Sequence, residues 1–149
     1  MSKLPKTEFH HETAPEIEHA TLYGLLRLRS EVLVVEQQAP YLDLDGRDLD
    51  KTTWHLWATN GDDIVGCLRM LESDEAWRMG RLCTAHHARG RGIARSLVTQ
   101  AIELAGDKVI ETNTQTNLAP WHERFGFIAT GPIFHEVGIP HTPMRRVPT

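Results

Sequence analysis

Residues able to do chemistry are densest between Arg81 and Gly106, where Arg89, Gly90, Arg91 and Gly92 separate two differently patterned segments. Before them, Trp77, Met79, Arg81 and Cys83 alternate with Arg78, Gly80, Leu82 and Thr84, the period of a strand. After Gly92, the residues Ile93, Leu97, Ala101 and Leu104 share one face of a helix, and Gly106 stands where a C-terminal cap belongs. The first N–H groups of such a helix lack internal partners and lie at the positive end of its dipole, so the junction favours an anion. Glycine lets the backbone approach a phosphate closely, and Arg89, Arg91 and Arg95 add planar cationic donors. The plain alternative is a tight strand-to-helix turn whose arginines are solvated.

Two phosphate-binding patterns are excluded. The chain has no Gly-x-x-x-x-Gly-Lys-Ser/Thr, and Arg-Gly-Arg-Gly-Ile-Ala is not Gly-x-Gly-x-x-Gly after a first strand. A second cluster lies upstream, where Glu36, Asp43, Asp45 and Asp48 make residues 36–50 the most acidic stretch. A calcium loop fails on spacing, because Gly46 falls at the fourth position instead of the sixth and no Glu stands at the twelfth. An Asx-rich turn accounts for the stretch, and so does a negative patch that attracts a cationic amine. The nine histidines include no His-x-x-x-His and there is no Cys-x-x-Cys, so no metal is expected.

These residues need a scaffold, and 149 residues with 40% hydrophobic and 24% charged content suit one soluble domain spanning 1–149. A net charge of −4 argues against nucleic acid as the partner. No stretch approaches the roughly 18 apolar residues of a membrane span, and Met-Ser-Lys-Leu-Pro-Lys lacks the apolar core of a signal peptide. Cys67 and Cys83, both in strand patterns, fit reduced buried thiols in a cytoplasmic protein better than a disulfide.

Residues 7–11 read as a short strand. Thr13 and Glu16 resemble a capping box, and the helix to follow would carry Leu22, Leu25, Leu28, Val32 and Val35 on one face, breaking near Glu31. Trp54–Thr59 and Ile64–Leu71 form a hairpin about Asn60-Gly61-Asp62-Asp63, and a turn at 73–75 leads into Trp77–Thr84. Beyond the Gly92 helix come a strand at Val109–Thr112, a short helix at about Ala119–Phe125 closed by Gly126, and strands at Phe127–Thr130 and Met144–Val147. A helix between the strands at 77–84 and 109–112 makes them a parallel pair. The expected class is α/β, a mixed and mostly antiparallel twisted sheet with a central parallel pair and helices on both faces.

Arg89, Gly92 and Ala94 fill the Gln/Arg-x-x-Gly-x-Gly/Ala signature, and the chain thereby resembles the GNAT superfamily of N-acetyltransferases, whose loop holds the pyrophosphate of acetyl-coenzyme A. Leu82-Cys83-Thr84 stands where that superfamily offers backbone groups to the pantetheine arm, and Phe125-Gly-Phe127 matches its Leu/Phe-Gly-Phe ending. Leu22-Tyr, Val34-Val-Glu-Gln37, Pro40-Tyr-x-Asp-x-Asp-Gly-x-Asp-Leu49 and Gly138-Ile-Pro-His141 are similar to the ElaA family. The resemblance implies an acetyl-CoA-dependent N-acetyltransferase without metal, with Gly90, Arg91 and Arg95 beside the cofactor. Its partner would be a small-molecule amine or the amino group of a peptide, with neither nucleic acid nor membrane involved; a homodimer stays open.

The same resemblance implies direct transfer in a ternary complex, with an N–H near Cys83 or Thr84 polarising the thioester carbonyl. For the base that deprotonates the amine, Glu36 comes first, then Asp45 or His55. The chain departs from the superfamily where a Tyr usually protonates the leaving thiolate, since His122 occupies that position. Either His122 is the acid, or it is a spectator and the thiolate leaves unassisted or takes its proton from water; the missing Tyr also leaves open a coenzyme A-binding sensor or adaptor with little or no turnover. The superfamily's Asn before this helix is out of register at Asn117, and Gln115 fits the ElaA pattern better.

Overall fold

In the computed structural model, which describes residues 6–149, the centre of the molecule is the strand β3 (Asp63–Leu71). Met1–Pro5, the greater part of the segment expected to lack a signal sequence, lies outside the described residues. Residues 65–71 of β3 are buried without interruption, which requires cover on both faces of the sheet. That cover is α1 (His19–Arg29), resting on β3 and β4 (Ala76–Thr84), and α2 (Ile93–Ala105), which lies across β2 (Thr53–Asn60) to β5 (Val109–Gln115). The remaining elements are β1 (Thr7–Thr13), α3 (Ala119–Glu123), β6 (Phe127–Ala129), β7 (Phe134–Glu136) and β8 (Ile139–Arg146).

The strands form one eight-stranded sheet in the order β1-β2-β3-β4-β5-β8-β6, with β7 added against β8. β2 to β4 are the expected antiparallel meander, turned between β2 and β3 at Gly61-Asp62, and β1 adds antiparallel to β2 at its edge. β4 and β5 are the expected parallel pair, joined through α2. Leu56, Val65, Leu68, Met70, Leu97, Ile110, Phe127 and Met144 fill the core. Among the described residues no helix is long and apolar enough to cross a membrane.

Three expectations are corrected. Thr13 ends β1 instead of capping a helix; its carbonyl accepts from Glu16 and Ile17 in a turn, and α1 begins only at His19. The break near Glu31 is a change of helix type, because Ser30–Glu36 continues α1 as a π-helical turn. The wider turn rotates Val35 out to 70% exposure while Val32 stays buried. The β7–β8 hairpin, turned at Val137-Gly138, escapes the sequence pattern because Pro140 and Pro143 interrupt it.

Residues 37–50 are held to this scaffold by buried ion pairs. Arg29, on the last turn of α1, donates Nε to Asp43 at 2.8 Å and Nη1 to Asp48 at 2.6 Å. Arg69 of β3 grips Asp45 with both terminal nitrogens at 2.7 and 2.9 Å and reaches Asp48 at 3.2 Å. Arg81 of β4 meets Asp43 at 2.9 Å and Asp45 at 3.4 Å. Burial alone would disfavour the charge on Asp48, but Arg29 and Arg69 outweigh it and hold its carboxyl below the ordinary range. The hydrogen bonds from Arg69 hold Asp45 well below that range too. His55 lies under the knot, its Nε2 2.9 Å from the Asp48 carbonyl, and burial lowers its pKa.

Arg29→Ala should cost about 3–5 kcal/mol in denaturant unfolding, because it removes from two buried carboxylates the short bonds of a shared cation and leaves a cavity in its place. Stability should also decline in two steps on acidification. Folded His55 resists protonation that the unfolded chain accepts, so stability present above about pH 6.5 falls below it. The depressed aspartates add a second loss below about pH 4, and a melting temperature flat from pH 7 to 3 would contradict both steps.

Candidate active site

β4 and β5 run side by side only from Ala76 and Val109 to Met79 and Thr112. Beyond those residues they part, β4 continuing to Thr84 and β5 to Gln115, and the sheet opens into a wedge. A bulge accompanies the opening. Gly80 to Cys83 of β4 takes three steps where Arg69 to Cys67 of β3 takes two, and Arg81 sits in the bulge at φ +54°. The left-handed conformation costs an arginine about 1–2 kcal/mol, and its pairs with Asp43 and Asp45 hold it there.

On one side of the wedge lies the glycine loop. Gly90 and Gly92 have φ of +78° and +79°, and Gly92 is the N-cap of α2 with no side chain capping the helix. The loop is pressed to the sheet by close packing of Ile93 and Leu97 on Gly66. Arg91 and Arg95 are exposed and make no ion pair among the described residues. Arg89 is engaged. It donates to the Thr84 carbonyl at 3.1 Å, lies 3.3 Å from His86 Nδ1 and meets the Glu36 carboxylate at 2.7 Å.

On the other side is a cavity of about 300 Å³. Its walls come from the π-helical turn and the loop after it (Leu33, Gln37, Tyr41), from the bulge (Arg81, Leu82), from β5 (Thr114, Gln115), from His122 and from the β7–β8 hairpin. Gln115 donates to Gln37 at 3.0 Å, tying β5 to the helical turn. His141 donates Nδ1 to the Ile139 carbonyl at 2.8 Å, with Nε2 3.9 Å from Glu136. Tyr41 donates its hydroxyl to Asp43 at 2.7 Å; burial, reinforced by that bond, pushes the phenol well above its ordinary value.

His122 is 4% exposed on α3, its ring edge-on to Trp121 and Phe127. Its Nδ1 lies 3.0 Å from the Leu118 carbonyl and 3.2 Å from Thr114 Oγ1. A carbonyl can only accept, so Nδ1 carries the proton. Burial lowers the pKa of the ring, outweighing the Leu118 carbonyl, and the imidazole is neutral near pH 7. The resting ring is therefore neutral, and an acid role for it requires that it first take up a proton.

The three expected bases all have partners in the structure. Glu36 pairs with Arg89 and does not line the cavity. Asp45 is locked between Arg69 and Arg81, and His55 is buried beneath Asp48. Asp43, Asp45 and Asp48 do not form an open negative patch, because each is paired with Arg29, Arg69 or Arg81. Among the described lining residues the cavity's one carboxylate is Glu136. Sequence reasoning missed Tyr41, Glu136 and His141 as neighbours of His122; only the unabsorbed Gly-Ile-Pro-His141 similarity hinted at the last.

Comparison with known proteins follows this geometry. Residues 30–147 match the model of an acetyltransferase (GNAT) domain. A UPF0039 protein of Mycobacterium tuberculosis is 41% identical, with 89% of this chain and 88% of its own covered. ElaA of Escherichia coli is 34% identical over 93% and 94% of the two chains, and its crystal structure superposes with a TM-score of 0.89, covering 95% and 99%. The structure of an acyl-CoA N-acyltransferase from Pseudomonas aeruginosa gives a TM-score of 0.91 at 32% identity, covering 95% of this chain and 100% of its own.

The packing of the loop helix is testable at Gly66. A Cβ there would lie 2.6 Å from Ile93 Cγ2 and 3.3 Å from Leu97 Cδ1, and a β-branched Ile turns aside poorly. Gly66→Ala should lower stability by about 1–3 kcal/mol in denaturant unfolding, whereas Gly80→Ala, with open space around it, should cost far less.

Proposed function

The chain belongs to the GNAT acetyltransferases, with ElaA among its relatives, and from that premise we propose that it carries an acetyl group from acetyl-coenzyme A to a primary amine, of a small molecule or a peptide, in a ternary complex. The observation that carries this reading is the wedge, which joins an anion-ready helix start to a polar cavity. The Pseudomonas aeruginosa relative, an acyl-CoA N-acyltransferase, supports an acyl-CoA donor and a nitrogen acceptor.

In this reading the N–H groups opening α2, with Gly90, Gly92 and Ala94 leaving room, hold the pyrophosphate, and Arg91 and Arg95 add charge. Arg89 shapes the loop through the Thr84 carbonyl and gains a phosphate oxygen in place of Glu36. The pantetheine runs along Leu82, Cys83 and Thr84, whose β5-facing edge is free of strand pairing. An N–H of that edge stabilises the oxyanion as the amine attacks. Transfer is direct. Cys83, hydrogen-bonded to Cys67 and buried, has its thiol pKa pushed well up and is a poor nucleophile for a covalent intermediate. The two reduced thiols suit the cytoplasm.

Release of free thiol from acetyl-CoA in the presence of a panel of primary amines tests the reaction. Binding without thiol release would instead make the protein a coenzyme A sensor. Gly92→Asp, which adds a charge and a side chain at φ +79°, should abolish cofactor binding in titration calorimetry. Arg91→Ala should weaken it by about 1.5–3 kcal/mol. Glu36→Gln should tighten binding several-fold by freeing Arg89 and spare turnover; lost turnover with unchanged affinity would restore Glu36 as the base.

A further inference from the structure

We infer that His122, which lines the cavity, is the general base of the transfer, accepting the acceptor's proton on Nε2; this deepens the amine-acetylation reading and rests on it. The geometry fixes which nitrogen acts. Nδ1 is committed to the Leu118 carbonyl with Thr114 alongside, whereas Nε2 makes no hydrogen bond among the described residues. The ring is clamped by Trp121 and Phe127, so the lone pair has a set direction.

Competing groups around it are occupied. From β3 and β4 come Arg69 and Arg81, paired with aspartates, and Arg78, paired with Glu111. The loop brings Tyr41, already donating to Asp43, and the hairpin brings His141 with Glu136 at 3.9 Å. On α3 itself Glu123 and Arg124 are exposed. A buried imidazole without a carboxylate partner stays neutral at working pH, which is the state a base needs.

The step balances on one proton. The amine nitrogen attacks the thioester carbon, the C–N bond forms, and the nitrogen's proton passes to Nε2. The C–S bond then breaks with its electron pair on sulfur, and the imidazolium returns the proton to the thiolate, leaving the amide and free thiol. Burial makes that imidazolium a ready donor, so one side chain serves both halves of the reaction.

Two measurements test this on the whole protein. Imidazole ¹⁵N–¹H correlation spectra should show His122 neutral at pH 7 with its proton on Nδ1, titrating below about pH 6.5. A proton on Nε2, or a charged ring at pH 7, would overturn the inference. Steady-state acetylation by His122→Gln is then compared for benzylamine and aniline, with acetyl-CoA affinity and melting temperature confirming the fold. An aniline nitrogen sheds its proton readily once it attacks, so its kcat/KM should fall less than tenfold while that of benzylamine falls about a hundredfold or more. Equal losses would assign His122 to the leaving thiolate alone, and no loss would make it structural; either sinks the base. If the parent releases no thiol with any amine, the acetylation reading fails instead, whatever the spectra show.

Discussion

Burying a guanidinium costs several kcal/mol, and the fully buried Arg29 is tolerable only because Asp43 and Asp48 meet it. That requirement shapes the rest. To supply those carboxylates, residues 37–50 must fold back over the end of α1, and Arg69 and Arg81 enter the same cluster from two strands. Arg81 then sits where a bulge puts it, and the bulge accompanies the parting of β4 from β5. The cavity wall at Tyr41 and the bulge beside the opening in the sheet are both tied to the same cluster of ion pairs. Replacing such a cluster with apolar residues is often neutral for stability, so its worth here lies in where it pins the backbone.

The two sides of the wedge are matched by opposite electrostatic means. Toward the glycine loop the protein offers positive ends and uncommitted cations, Arg91 and Arg95. Toward the cavity most of its charges are paired with one another, leaving amides, hydroxyls and the neutral imidazole of His122. An anionic donor and an uncharged reactive nitrogen would each find the surroundings they need, a short distance apart across β4.

Much of the scaffold is legible in the residues because it is local. The period-2 runs from Trp54 to Thr84, the turn at Gly61 and the switch to helical spacing after Gly92 each depend on neighbours in sequence. The parallel pair follows from connection handedness. What the chain hides is long-range. Asp43, Asp45 and Asp48 read as an open acidic patch because their arginines lie 14 to 38 positions away on other elements. Glu36 reads as a free base for the same reason, its partner being Arg89. His122 was found as a position by the Gly-Phe motif, but its protonation depends on burial and on the Leu118 carbonyl, which spacing does not carry. The prolines of β8 concealed the hairpin that completes the cavity.

The place of β8 in the sheet bears on the order of assembly. It follows β6 in the chain yet lies between β5 and β6, holding both in register, and its own hairpin partner β7 folds onto it as well. During synthesis the meander from β2 to β4 can close early on local contacts, with α2 laid over it. The carboxyl-terminal half waits for its keystone. Until β8 arrives, β5 has an open edge, α3 rests on an unpaired β6, and the pocket lacks a wall. The nascent chain can therefore complete the glycine loop and the start of α2 before the cavity across the wedge is enclosed.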